Sequence, residues 1–322
     1  MKDQKEDKRN SAKKDADLLT GEKIFVLGKS KVKVTHLEKI FFPEDSISKG
    51  DMIKYYMSMS EYILPYLTGR PQSLFRNPDG INVKGFFQKD TGGKVPSFVK
   101  SKNIFSESTK KEVNYIVCDN LATLIYLNNL GCIEINPWHS TIKSLDNPDY
   151  MIIDLDPSEK NTFNEVIEVA LVVKKFLDIA GAPSFCKTSG STGIHIYVPL
   201  EKKYKYRPVK EFAHKICHLV NSQLGDFTTL ERNLEKRESN HIYLDYLQNS
   251  KGQTIASVYS LRPKTGAMVS TPLKWEEVKK GLTPQLFTIH NMKERVTKTG
   301  DIFKGILGKG IDLQKCHTRL DA

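Results

Sequence analysis

The chain has 322 residues, enough to bury one large core or two smaller ones. Its 49 lysines and arginines against 38 acids give a formal charge of +11, which points to a polyanionic partner such as nucleic acid, with an anionic membrane surface as the rival. No apolar run is long enough to span a bilayer and the N-terminus has no signal-peptide core, so a cytoplasmic protein with no membrane partner is expected.

Residues 1–22 are mostly Lys, Asp, Glu, Asn and Ser and read as a flexible tail. From Lys23 a strand pattern (Ile24, Val26, then Val32 and Val34) leads to Lys39-Ile-Phe-Phe-Pro43. Ser48 then offers the cap of a helix carrying Met52, Ile53, Tyr56 and Met59, which Pro65 is expected to end. Lys39 and Lys49 flank the turn between these segments. Arg70 to Arg76 reads as a strand entering the turn Asn77-Pro-Asp-Gly80, which resembles the Lys-x-Asp-Gly motif of DNA ligases but has no amine to adenylate. In Gly85-Phe-Phe-Gln-Lys89, Phe86 and Phe87 face opposite ways if extended, so one belongs in the core and the other can stack on a base; core for both is the commoner outcome. Asp119 to Leu130 is a helix stopped by Gly131, and Cys132 to His139 alternates like a strand before Pro137. The five scattered cysteines fit reduced thiols.

From Tyr150 the elements alternate in an ordered way. A strand at 150–155 precedes a helix opened by the Thr162-x-x-Glu165 capping box and stopped by Gly181. Strands at 184–188 and 194–200 are joined by Ser189-Gly-Ser-Thr-Gly193. A second helix starts at Pro208, and a fourth strand spans His241 to Leu247. The order is β-α-β-β-α-β, so the fold class is mixed α/β (α+β): a split sheet of the RNA-recognition or ferredoxin-like kind with an N-terminal α/β module packed on it.

Asp154 and Asp156 are alternate residues of the first of these strands and point the same way. Alone, such a pair is more often solvated at a strand end. In the split arrangement, however, the fourth strand lies beside the first, and it carries Asp245 inside the run His241-Ile-Tyr-Leu-Asp-Tyr-Leu247, where an unpaired acid is costly. Three carboxylates on one sheet suit oxygen-seeking Mg²⁺ or Mn²⁺ and the layout of a two-metal phosphoryl-transfer site. The small residues of the 189–193 loop let backbone amides approach phosphate, although a plain hairpin turn is the alternative; His195 sits just beyond, and Gln248 and Arg262 are within reach of a triphosphate. His214, Cys217 and His218 sit at helical spacing without a second ligand cluster and read as packing and surface residues.

Ile153-Asp-Leu-Asp-Pro157, Lys187-Thr-Ser-Gly-Ser-Thr-Gly-Ile-His-Ile-Tyr-Val-Pro-Leu200, Tyr243-Leu-Asp-Tyr-Leu-Gln-Asn249, Tyr259-Ser-Leu-Arg262 and Val269-Ser-Thr-Pro272 together resemble the primase-polymerase domain of bacterial DNA ligase D. The resemblance runs from about Lys33 to Trp275 and implies a catalytic domain over 23–300, divided into a module at 23–130 and the sheet at 131–275, with 301–322 as a C-terminal extension. It implies an end-joining polymerase, associated with the nucleoid, that adds NTP or dNTP, ribonucleotides preferred, at gapped or broken DNA. It makes Asp154, Asp156 and Asp245 the catalytic ligands of two Mn²⁺ or Mg²⁺ ions. Arg76, Asn136, Ser189, Gly190, Ser191, Thr192, His195, Gln248 and Arg262 become nucleotide contacts. Phe86, Phe87 and Lys89 become DNA contacts, with Lys39 and Lys49 on a 5′-phosphate. Two positions depart from the family pattern: Asn136 stands where a His is common before Pro-Trp, and Thr192 where a Lys is common, with Lys187 as a candidate substitute. The resemblance does not reach ligase or phosphoesterase motifs, so Ku and a separate DNA ligase are the expected partners. A non-catalytic nucleic-acid-binding module and a stand-alone primase are the competing readings.

Overall fold

The computed structural model describes residues 20–107, 109–237 and 239–322, so the expected tail falls largely outside the described residues. The chain enters through a hairpin of β1 (Lys23–Leu27) and β2 (Ser30–Val34). Val32 and Val34 are buried, but Ile24 and Val26 are 64% and 69% exposed, because Phe25 and Leu27 are the residues of β1 that turn inward. After β3 (Ile40–Phe42) and β4 (Ile47–Ser48), Ser48 and Asp51 form the capping box of α1 (Lys49–Ser58). Pro65 does not end this helix. The chain breaks at Met59 and resumes as α2 (Ser60–Leu67), with Pro65 in its last turn, where the ring forfeits only the bond to the Glu61 carbonyl.

The next segment divides between two sheets. β5 (Arg70–Pro71) joins a three-stranded sheet, whereas β6 (Leu74–Arg76) and β7 (Phe86–Gln88) form a separate two-stranded ribbon. β8 (Lys100–Ser106) and β9 (Lys111–Cys118) complete the three-stranded sheet, and Asn120 caps α3 (Leu121–Asn129). The segment 132–139 is not a strand of any sheet. It makes isolated bridges from Glu134 to Phe75, Pro137 to Gln72 and Trp138 to Thr254, since Pro137 cannot donate to a ladder and its neighbours serve different segments.

The second half follows the expected order: β10 (Tyr150–Asp156), α4 (Phe163–Ile179), β11 (Phe185–Thr188), β12 (Ile194–Pro199), α5 (Tyr206–Leu224), then β13 (Thr228–Thr229) and β14 (Ile242–Asp245). In space the order is β14-β10-β12-β11, each neighbour antiparallel, which is the split β-α-β-β-α-β sheet. β13 beside β14 and β15 (Pro272–Leu273) beside β11 widen it to six strands. The Thr162–Glu165 box opens α4, and Pro208 sits in the first turn of α5, where its missing N–H has no helical partner to lose.

Met151, Ile153 and Leu155 of β10 are fully buried against the helices, and alternation turns Tyr150 and Asp154 to the face looking toward the N-terminal half, where Arg70 lies 5.0 Å over the Tyr150 ring. One contiguous core runs from Val32 through Leu124, Ile153 and Phe212 to Cys316. The stretch 301–322, expected as an extension, is part of it. Phe303 packs edge-on against Tyr197 at 5.1 Å, and Asp301 accepts from the Tyr66 and Tyr259 hydroxyls at 2.7 and 2.8 Å. After α6 (Met292–Thr299), the last helix, α7 (Leu313–Asp321), buries Leu313 and Cys316. All five cysteines are unpaired and buried, and no helix among the described residues is long and apolar enough to cross a membrane.

Candidate active site

Strand register sets four side chains in one row across the sheet. Lys187 stands opposite His195, His195 opposite Asp154, and Asp154 opposite Asp245. Directly opposed residues share a face, and Asp156, two residues past Asp154, shares it as well. His195 Nε2 lies 3.3 Å from Asp154 Oδ1, and His195 Nδ1 lies 2.8 Å from Lys187 Nζ. Lys187 is fully buried and also donates to the Ala256 carbonyl at 3.0 Å and the Ser270 hydroxyl at 2.5 Å. With Lys187 donating to Nδ1, a neutral His195 carries its proton on Nε2, aimed at Asp154. Burial, then the charges of Lys187 and Arg262, hold His195 well below its ordinary range, and burial lowers Lys187 as well.

The acids are shifted the other way. Burial, then repulsion from Asp156 and Asp245, pushes Asp154 up to about 8. Burial also raises Asp245, although it accepts from the Tyr243 hydroxyl at 3.2 Å, the Leu247 amide at 2.8 Å and the Gln248 side chain at 3.2 Å. Asp156 lies 3.5 Å from the Arg237 guanidinium, which in turn covers the Tyr243 ring at 4.4 Å. Oxygen donors that impede one another's ionisation are the set a hard divalent cation relieves. Among the described residues no three His, Cys, Asp or Glu side chains stand close enough to hold an ion as arranged; Asp156 and Asp245 are engaged instead by Arg237, Tyr243 and Gln248.

Asp154 and Asp156 floor a cleft of about 230 Å³, walled by the 189–193 loop, Asn136 and Phe87, while Asp245 stands beside Asp154 outside its lining. Gly193 allows the loop to cross β10 closely: a Cβ there would stand 2.1 Å from the Leu155 carbonyl oxygen. The loop does not turn all its amides to the cleft, because those of Ser191 and Gly193 donate to Ser189 Oγ at 3.1 and 3.0 Å. Arg262 braces the loop from behind, Nη1 donating to the Ser189 carbonyl at 2.5 Å and Nε to Glu134 at 2.7 Å. Asn136 is buried, with Nδ2 unpartnered among the described residues, and Thr192 is exposed at the rim.

Two expected nucleotide contacts, Gln248 and Arg76, do not line this cleft; Gln248 is turned onto Asp245. Arg76 donates to the Leu130 carbonyl and to Gln88, both at 2.9 Å, and lines a separate depression of about 390 Å³ together with Lys39 and Lys49 rather than the nucleotide cleft. Its guanidinium is held there by those two bonds, at the end of β6 where the ribbon passes the C-terminus of α3. In that depression Lys39 pairs with Asp79 at 2.5 Å, and Lys49 donates to the Thr35 carbonyl and Asn129 Oδ1, both at 2.8 Å. Phe86 and Phe87 are both exposed, at 48% and 64%, because the ribbon has no sheet behind it. Phe86 lies 5.3 Å beneath the Arg76 guanidinium, Phe87 stacks 4.8 Å from Phe75 at the cleft, and Lys89 is exposed beside them. His214 packs 4.6 Å from the Tyr246 ring while Cys217 faces the core.

Sequence reasoning passed over Glu134, Arg237 and Lys264. Glu134 lies two residues before Asn136, so alternation along extended chain was its signal, whereas Lys264 follows Arg262 in a tight turn and has no such periodicity. Arg237 sits in a polar loop with no such periodicity.

An acid row on an RNA-recognition-type sheet, beside a cleft walled by a small-residue loop, is an arrangement suited to phosphoryl transfer and places the chain in the primase-polymerase class of folds. The profile of the LigD primase-polymerase domain matches residues 48–303, and the chain belongs to that family. It is 35% identical over 271 residues to the bifunctional non-homologous end joining protein LigD of Bacillus subtilis, across 84% of this chain and 43% of that protein. It is 30% identical over 249 residues to the multifunctional non-homologous end joining protein LigD of Pseudomonas aeruginosa, across 77% of this chain and 29% of that one. The chain thus spans less than half the length of either relative. The fold is similar to that of the polymerase domain from Mycobacterium tuberculosis ligase D in complex with DNA, with a TM-score of 0.79 and 23% identity over 87% of this chain and 99% of that one.

Proposed function

We propose that the chain is a DNA end-joining polymerase that extends a 3′-hydroxyl at gapped or broken DNA, with ribonucleotides preferred and two Mn²⁺ or Mg²⁺ ions held by Asp154, Asp156 and Asp245. The observation that carries this reading is the row Lys187, His195, Asp154, Asp245, which a module serving only to bind a phosphate backbone has no use for. Bound cations would supply charge for the attacking hydroxyl and the leaving pyrophosphate. The protein's own groups position the reactants. Neutral His195 fixes the Asp154 carboxylate from one side, and Lys187 fixes His195. Arg262 and Ser189 shape the loop against which a triphosphate lies, with Gly190, Ser191 and Thr192 beside it, and Asn136 offers an unpaired N–H. Gln248 holds Asp245, while Phe87 and Lys89 suit a template base and its phosphate, and Phe86 stiffens Arg76. Lys39 and Lys49, with Arg76 beside them, form a basic depression suited to the 5′-phosphate across a gap. Ku and a separate ligase would complete the repair.

The test is primer extension on gapped, overhanging and unprimed DNA, each with NTP or dNTP and either cation. Addition at gaps that is lost in Asp154→Ala is the expected result. No addition on any substrate, with DNA binding intact, would return the chain to the class of binding modules, and addition on unprimed DNA alone would make it a primase.

A further inference from the structure

The positive charge facing the cleft is smaller than its basic residues suggest. Lys187 is sealed beneath the floor with its Nζ committed to His195, Ala256 and Ser270. Arg262 is paired with Glu134 at 2.7 Å, and two of the loop's amides are turned onto Ser189. Lys264 is different. Its Nζ donates to the Ser191 hydroxyl at 2.5 Å, and among the described residues no carboxylate lies within ion-pair distance of it. Its backbone is fixed, since Lys264 N donates to the Arg262 carbonyl at 2.8 Å, Ala267 N to the Lys264 carbonyl at 3.2 Å, and Gly266 N to Asp45 at 2.7 Å. The side chain, by contrast, is partly exposed and held at its tip by a single hydroxyl. A lysine is a mobile point charge, so it can exchange one neutral hydroxyl for phosphate oxygens without leaving a carboxylate unpaired.

The geometry points to Lys264 as the cation that takes the triphosphate tail of the incoming nucleotide, releasing Ser191 as it does so. This rests on the reading of the cleft as a triphosphate-using site. Ser191 is the hinge of the assignment: it lines the cleft on one side and receives Lys264 on the other.

Calorimetric titration of wild type, Lys264→Met and Lys264→Arg with ATP and with AMP, each in the presence of Mg²⁺, tests it. AMP keeps the base, sugar and first phosphate and lacks the tail. Lys264→Met is expected to weaken ATP about tenfold while moving AMP by no more than about twofold, and Lys264→Arg to keep most of the ATP affinity. Comparing two ligands on one preparation cancels any loss of folded protein. Equal weakening of both ligands, or an ATP affinity unchanged in Lys264→Met, overturns the assignment. Single-nucleotide addition to gapped DNA separates this from the broader reading. A wild type that binds ATP through Lys264 but adds nothing overturns the polymerase reading alone, and normal addition with an unchanged KM for nucleotide in Lys264→Met overturns the Lys264 assignment alone.

Discussion

In the proposed 5′-phosphate pocket Lys49 is a buried charge, so its protonation is measurable in two ways. It is 5% exposed, and burial followed by repulsion from Lys39 lowers its pKa from 10.5 to about 8. At about 1.4 kcal/mol per unit this bounds the cost of the charged form at roughly 3.5 kcal/mol, and because the Nζ borders an open depression, solvent screening reduces it to roughly half that. The folded chain holds this proton less tightly than the unfolded one. The cost is therefore fully present below about pH 8 and fades as pH rises toward 10.5, so wild type gains stability relative to Lys49→Met across that window. Binding a 5′-phosphate runs the other way, because the phosphate is a dianion throughout and needs Lys49 charged. The preference for 5′-phosphorylated over 5′-hydroxyl gaps is expected to be constant between about pH 7 and pH 8 and to fall about tenfold by about pH 9. Fluorescence anisotropy with both gapped DNAs at fixed ionic strength reads the ratio directly. Lys49→Arg, which does not titrate there, should give a flat profile. A flat profile in wild type would refute the assignment of the phosphate to this pocket.

Asp154→Ala and Asp245→Ala are each expected to abolish nucleotide addition while leaving gapped-DNA affinity within about threefold, by extension and anisotropy assays; normal extension by either would reject the acid row as the reaction centre. In the Lys264→Met background, Thr192→Lys places a new cation on the exposed side of the same loop and should recover part of the lost affinity for ATP, as read by KM in single-nucleotide addition. Phe303→Ala removes a ring packed on Tyr66, Phe185 and Tyr197 and should cost about 3 kcal/mol in urea unfolding; a loss below about 1 kcal/mol would show that the C-terminal stretch is dispensable to the core.

The sheet was legible in the sequence because its punctuation is local. The Thr162–Glu165 box, Gly181 and the alternation of β12 mark element boundaries without reference to anything distant. The active-site row was legible only in part. Alternation pairs Asp154 with Asp156, but which residue stands opposite which is decided by strand register, and only the folded pairing aligns Lys187, His195, Asp154 and Asp245. Lys187 looked like a phosphate ligand from its position two before Ser189; burial beneath His195 makes it a support instead. The expectation that Phe86 and Phe87 are core fails for a related reason, since a short apolar strand carries no information on whether another layer lies behind it. Arg76 is drawn toward the depression by the Leu130 carbonyl at the end of α3, a contact between segments that no local pattern encodes.

The β6–β7 ribbon is a single ladder of only three residue pairs, with Phe86 and Phe87 on its outer strand open to solvent. Its backbone hydrogens should exchange with solvent well ahead of those in the six-stranded sheet, since opening it exposes little that is not exposed already. An incoming strand that stacks on Phe87 would then do more than find a surface: it would suppress that opening and slow the exchange. A poorly matched DNA end would forgo this gain and leave the ribbon free to reopen, so the proposed template contact would also be the place from which a wrong end is most readily shed.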